Sequence, residues 1–261
     1  MNNRIDNCFT ELRAKKRKAF IPYISAGDPN LKRTVDLAFA LEKSGADLLE
    51  VGLPFSDPLA DGIVNQLAAQ RALAAGTTIG GVFDCVREIR KQSQIPIVLY
   101  SYLNPIFQFG ADKFHDEAEG AGVDGLLILD LPPEEDLELP KTNVLHIRLI
   151  APTTPSTRIE KIAKSAKGFL YYVSREGVTG AQESIATALP EKISELRAAS
   201  KLPIAVGFGI SNPEQARNVA QHADAVVVGS AIVDLIAKHG DKSEMIEKVA
   251  AFAKSLAEAI H

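Results

Sequence analysis

Three carboxylates, Glu50, Asp57 and Asp61, crowd one short segment of the chain. Carboxylates in such company suit proton transfer and the stabilisation of developing positive charge. Glu50 stands near the end of the run Ala46-Asp47-Leu48-Leu49-Glu50-Val51, two residues after Leu48, so strand alternation puts both side chains on one face. If that face is an apolar interior, burial raises the pKa of Glu50 towards neutrality, which suits a group that must both give and take a proton. An outward Glu50 paired with Lys or Arg is the competing reading. Asp57 and Asp61 lie in Pro54-Phe55-Ser56-Asp57-Pro58-Leu59-Ala60-Asp61-Gly62, a loop leaving the same strand end. Loops at strand ends carry catalytic groups, but Asp-Pro and Asp-Gly are also ordinary turn dipeptides.

A second kind of chemistry is written in glycine. Gly177-Val178-Thr179-Gly180, Gly207-Phe208-Gly209-Ile210-Ser211 and Gly229-Ser230-Ala231 each follow an apolar run. Backbone N–H groups at such turns, together with helix N-termini, hold phosphate dianions. Any one segment could simply be a tight turn; three in succession point to a phosphorylated small-molecule substrate, with Gly180, Gly209, Gly229 and Ser230 as candidate phosphate contacts. Ser230 is also a candidate cap for the last helix, and Ser211 for a helix with Pro213 and Glu214 in its first turn.

These groups need a scaffold that brings strand ends together. Eight runs rich in Ile, Val and Leu recur, most followed by a helical pattern: Ala19–Ile24, Ala46–Val51, Ile95–Tyr100, Gly125–Leu129, Val144–Leu149, Gly168–Val173, Pro203–Val206 and Ala225–Val228. Repeated strand–helix units indicate an α/β chain with a parallel sheet. An open doubly wound sheet alternates in the same way, but eight is the barrel number, and glycines after the seventh and eighth strands sit where barrels bind phosphate. The expectation is a single (β/α)8 TIM barrel over residues 1–261, with an extra N-terminal helix whose Ile5, Phe9 and Leu12 close the barrel floor. One unit is thin. Leu131 to Asn143 holds Pro132, Pro133 and Pro140, leaving only a short helical stretch between the fourth and fifth strands.

Bulk properties narrow the partners. A net charge of -4 offers no basic surface for nucleic acid or anionic membrane. No run approaches the length of a membrane span, and the N-terminus has no signal-peptide pattern, so the expected location is cytoplasmic. Cys8 and Cys85 lack metal or redox spacing, which predicts two free thiols, and no metal site is expected.

Leu49-Glu50-Val51-Gly52-Leu53-Pro54-Phe55-Ser56-Asp57-Pro58-Leu59-Ala60-Asp61-Gly62 resembles the signature of the tryptophan synthase alpha subunit family. The similarity continues through Ala26-Gly27-Asp28-Pro29, Tyr102-Leu103-Asn104-Pro105, Asp130-Leu131-Pro132, Ser174 to Gly180, Gly207 to Ser211 and Gly229 to Val233, in order along nearly the whole chain. The resemblance implies retro-aldol cleavage of indole-3-glycerol phosphate to indole and glyceraldehyde 3-phosphate. It implies no cofactor in this chain, and a partner beta subunit that carries pyridoxal phosphate and receives the indole in an alpha-beta-beta-alpha complex. A stand-alone indole-releasing lyase, or an alpha subunit acting mainly as activator, is the alternative. By resemblance Glu50 handles the proton transfers and Asp61 accepts the indole N–H. Tyr171 matches an active-site tyrosine, Thr179 a residue that closes over the substrate, and Tyr23, Tyr102 and Phe208 are candidate walls of the indole pocket. After Gly62 the sequence departs from the family pattern: Ile63-Val64-Asn65-Gln66 stands where the family usually has Pro and later an Ile-Gln pair.

Overall fold

The computed structural model describes residues 3–138, 140, 142–173, 182–207 and 209–261. Eight parallel strands close into a barrel in the order β1 to β8: Ala19–Ser25, Leu49–Gly52, Ile97–Ser101, Gly125–Ile128, Leu145–Ile150, Leu170–Val173, Ile204–Gly207 and Ala225–Val228. The final pairing of β1 with β8, Ala19 opposite Ala225, removes both sheet edges and decides between the barrel and the open sheet. Helices α1 to α11 are Arg4–Ala14, Leu31–Lys43, Ile63–Ala74, Ile79–Arg90, Leu103–Phe109, Ala111–Ala121, Ser156–Ser165, Gln182–Ala199, Pro213–Ala220, Ser230–His239 and Glu244–Ile260.

Strand alternation sorts the core into two shells. Ile21, Leu48, Val98, Leu127, Ile147, Tyr171, Ala205 and Val227 fill the barrel interior, while their neighbours Phe20, Leu49, Leu99 and Val226 pack outward against the helices. Each strand is therefore apolar on both faces, as a parallel sheet buried on both sides requires. Helix α1 closes the floor with Ile5, Phe9 and Leu12, all packed into the interior cluster. Around the same floor Asp47, Asp124 and Asp224 accept the backbone N–H groups of Phe20, Ile97 and Ile204 at 2.9, 2.8 and 3.0 Å, tying each acid to an adjacent strand.

The thin unit is thin in the structure too: among the described residues between β4 and β5 the one helical element is a 3-10 turn, Pro133–Glu138. Two helix starts differ from expectation. Asn212, not Ser211, caps α9, its side chain accepting the Gln215 N–H at 2.9 Å, because Pro213 occupies the first helical position and the cap must precede it. Ser230 is the first residue of α10 and makes no capping bond; Gly229 holds the cap position, and α11 follows. Cys8 and Cys85 are free thiols.

Candidate active site

The C-terminal ends of the strands surround a cavity of about 450 Å³, onto which Tyr23, Glu50, Asp61, Asn65, Tyr100, Tyr171, Gly209, Gly229 and Ser230 face. Glu50 points inward as its alternation with Leu48 predicts, and is only 3 % exposed. In the register it stands between Tyr23 of β1 and Val98 of β3. Burial pushes its carboxyl up to about 8, with the charge of Asp61 adding to the shift. Near neutrality Glu50 therefore holds a proton that it can give up.

Asp61 enters the cavity from the β2 loop. Burial raises its pKa as well, but three donors oppose the rise: the hydroxyls of Tyr100 and Tyr102 and the amide of Asn65. Tyr100 donates to Oδ1 and Tyr102 to Oδ2, both at 2.8 Å, and the Asn65 amide lies 3.5 Å from Oδ1. Two neighbouring carboxylates thus differ in surroundings, one desolvated among apolar side chains and the other held by donors that favour its ionised form. The Tyr102 hydroxyl also accepts the Ala60 N–H at 2.9 Å, and Gln66 donates to the Asp61 carbonyl at 2.8 Å, so the loop backbone is fixed on both sides of the carboxylate.

The mouth is hollowed by small residues at its uppermost layer. A Cβ on Gly52 would overlap the Tyr23 hydroxyl, and one on Gly207 the Tyr171 hydroxyl, so the hydroxyl end of each ring fills space that only glycine leaves free. Tyr23 also packs edge-on against Tyr100 at 5.2 Å between centroids. Burial first, and the nearby carboxylates after it, keep the Tyr23, Tyr100 and Tyr171 phenols protonated. On the same cavity, Gly209, at a φ of 76° that favours glycine, and Gly229 with Ser230 at the start of α10 offer backbone donors and a helix N-terminus.

Of the residues singled out in the sequence, Tyr23, Glu50, Asp61, Tyr171, Gly209, Gly229 and Ser230 converge on this cavity. Tyr102 reaches it through Asp61 rather than by facing it. Asp57 is exposed on the loop, and Asp130 accepts the Leu103 N–H at 2.7 Å at the start of α5. Thr179, Gly180 and Phe208 lie outside the described residues. Tyr100 was missed, although the alternation argument that singled out Glu50 applies to it: it lies two residues after Val98, which faces the interior. Among the described residues no three His, Cys, Asp or Glu side chains gather as a metal site, and no helix is long and apolar enough to cross a membrane.

A family model described as tryptophan synthase alpha chain matches residues 9–261. The chain belongs to the tryptophan synthase alpha chain family. Within that family it is 51 % identical over 259 residues to the alpha chain of Opitutus terrae, with 97 % of each chain covered. It is 47 % identical over 262 residues to that of Geobacter sulfurreducens, with 99 % of each covered. Among solved structures, the tryptophan synthase subunit alpha of Legionella pneumophila aligns with a TM-score of 0.89 at 42 % identity, covering 100 % of this chain and 99 % of that one. Tryptophan synthase from M. tuberculosis aligns over 99 % of both chains, also at a TM-score of 0.89 but with 30 % identity. Members of the tryptophan synthase alpha chain family are lyases, and the closed barrel is the architecture this chain shares with them.

Proposed function

We propose that this chain cleaves indole-3-glycerol phosphate to indole and glyceraldehyde 3-phosphate, with Glu50 and Asp61 as catalytic residues. The observation that carries the reading is that a protonated, buried Glu50 and a donor-held Asp61 line one cavity with Gly209, Gly229 and Ser230, whose backbone donors suit an anion. Glu50 gives its proton to indole C3, and the ring nitrogen becomes iminium-like, its N–H held by the Asp61 carboxylate. The glycerol hydroxyl next to the ring then returns a proton to Glu50 as the carbon–carbon bond breaks. Its electrons restore the indole, the oxygen becomes the aldehyde carbonyl, and Glu50 is regenerated. Keeping water out of so buried a site strengthens each of these charge interactions. The phosphate rests on Gly180, Gly209, Gly229 and Ser230, while by resemblance Thr179 closes over the substrate and Phe208 helps wall the indole.

The reaction as written draws on no cofactor in this chain. Indole passes to a beta subunit carrying pyridoxal phosphate, in an alpha-beta-beta-alpha complex. The barrel face that bears the cavity exposes Leu59, 91 % accessible, on the Asp61 loop and Phe107, 70 % accessible, on α5, as an apolar partner surface would.

Glu50→Gln tests the assignment: cleavage should fall by on the order of a thousandfold or more, the scale of a lost proton-transfer group, while binding of glycerol phosphate persists. Substantial residual turnover refutes it. Assaying the chain with and without the beta subunit tests the partner, and an unchanged rate favours a stand-alone lyase.

A further inference from the structure

We propose that Tyr100 is a positioning residue for this reaction: its hydroxyl and that of Tyr102 clamp the two oxygens of Asp61 and hold that carboxylate ionised and aimed at the indole N–H. The proposal rests on the reading of Asp61 given above. Tyr100 lies on β3 and Tyr102 just beyond it, at the cap of α5, so the scaffold strand rather than the loop supplies both donors. Each bond is 2.8 Å, and among the described residues Oδ2, which takes Tyr102, keeps a second acceptor position for a ring N–H.

The two tyrosines divide the work. Tyr102 also takes the Ala60 N–H, fixing the loop backbone, whereas the hydrogen bond of Tyr100 goes to the carboxylate. Without Tyr100, Oδ1 would keep, among the described residues, the Asn65 amide at 3.5 Å, a length at which little of a hydrogen bond remains. The Tyr100 ring is itself held in place by the edge of Tyr23, and it lines the cavity. Packing alone does not account for the hydroxyl, because a phenylalanine would fill the same space against Tyr23.

Asp61 is acted on by groups from several elements: Glu50 on β2, Tyr100 and Tyr102 from β3 and its end, Asn65 on α3, and Tyr23 and Tyr171 on β1 and β6. Glu50 and burial favour the neutral acid, while the three hydrogen-bond donors favour the carboxylate. Removing the Tyr100 hydroxyl tips that balance towards protonation.

The test uses the full chain with Tyr100→Phe and, as a variant that removes the same hydroxyl but packs differently, Tyr100→Met. The kcat for cleavage should fall roughly tenfold, the scale of a lost hydrogen bond to a charged group, with KM little changed. The acid limb of the kcat profile should move to higher pH in both variants. NMR of carbon-13-labelled aspartate reads Asp61 directly and should show the same upward move whether or not turnover is measurable. An unmoved Asp61 titration, or a rate loss without displacement of the acid limb, overturns the proposal. If the wild-type chain fails to cleave indole-3-glycerol phosphate, the reading of function falls instead, and the titration still judges the clamp.

Discussion

The Tyr23 hydroxyl occupies the space where residue 52 would carry a Cβ, and the next ring atom, Tyr23 Cζ, is only 2.8 Å from that position. Gly52 sits in strand β2, two residues beyond Glu50, and is hydrogen-bonded into the ladder beside Tyr100, so its backbone has little room to yield. Gly52→Ala should drive the Tyr23 ring into the cavity. Overpacking of this kind typically costs about 1–3 kcal/mol in stability. Turnover should fall at least severalfold, and adding Tyr23→Phe should recover part of both losses by removing the clashing oxygen. Thermal unfolding and steady-state kinetics of the wild type and the two variants check this; wild-type behaviour of Gly52→Ala would disprove the contact.

Burial of Glu50 makes stability depend on pH in a definite direction. Its pKa rises from 4.5 to about 8 on folding, so between those values the native state binds the extra proton. The stabilisation is fully present below pH 4.5 and is lost as pH rises through 8. Glu50→Gln, neutral at every pH, should therefore match wild type in acid and exceed it in stability above pH 8 by roughly 2–4 kcal/mol. Unfolding curves at pH 5 and pH 9 decide: a gap that does not widen would mean that Glu50 is solvated.

The same titration sets the alkaline side of catalysis. Because Glu50 must deliver a proton to indole C3, kcat should decline as pH rises through about 8. A pH–rate profile flat to pH 10 would remove Glu50 from the role of acid.

Asp28, buried in the β1 loop, receives a two-pronged ion pair from Arg71 of α3, with bonds of 2.8 and 2.7 Å. Cutting Arg71 to alanine leaves a buried carboxylate without its counter-charge. Since Arg71 itself is partly open to solvent, the expected cost is about 1–3 kcal/mol rather than the full value for a wholly buried pair. The helix loosened is the one that carries Asn65 and Gln66, so KM should rise as well. Chemical denaturation and kinetics measure both, and an unaltered denaturation midpoint would show the pair to be dispensable.

At the opposite end of the barrel, Asp124 takes Arg90 at 2.7 Å, Arg4 at 2.9 Å and the Ile97 N–H at 2.8 Å. Asp124→Ala strands the well-buried Arg90 and should destabilise by about 3–5 kcal/mol. Because the floor is remote from the mouth, kcat and KM of the folded fraction should stay as they are. A selective kinetic defect in stable protein would contradict the division between a structural floor and a catalytic mouth.

Much of this molecule is determined by short-range pattern. The eight apolar runs became the eight strands because each carries enough β-branched and aliphatic side chains to be buried on both faces. The three prolines after Leu131 excluded a full helix there, for want of N–H donors. Period-two alternation is local, so Leu48 inside means Glu50 inside, and the Leu49 to Gly62 segment carries the family signature in its residues alone. What the sequence left open was closure, and it is the pairing of Ala19 with Ala225 that joins the sheet and makes one mouth of eight strand ends. Which residue caps a helix turned on a single position, Asn212 rather than Ser211. The clamp of Tyr100 and Tyr102 on Asp61 joins residues 39 and 41 positions apart, and the value near 8 for Glu50 comes from its burial inside the closed barrel and then from the charge of Asp61. Burial and electrostatic environment are sums over such distant neighbours, so only the tertiary structure decided how two similar carboxylates were made unequal.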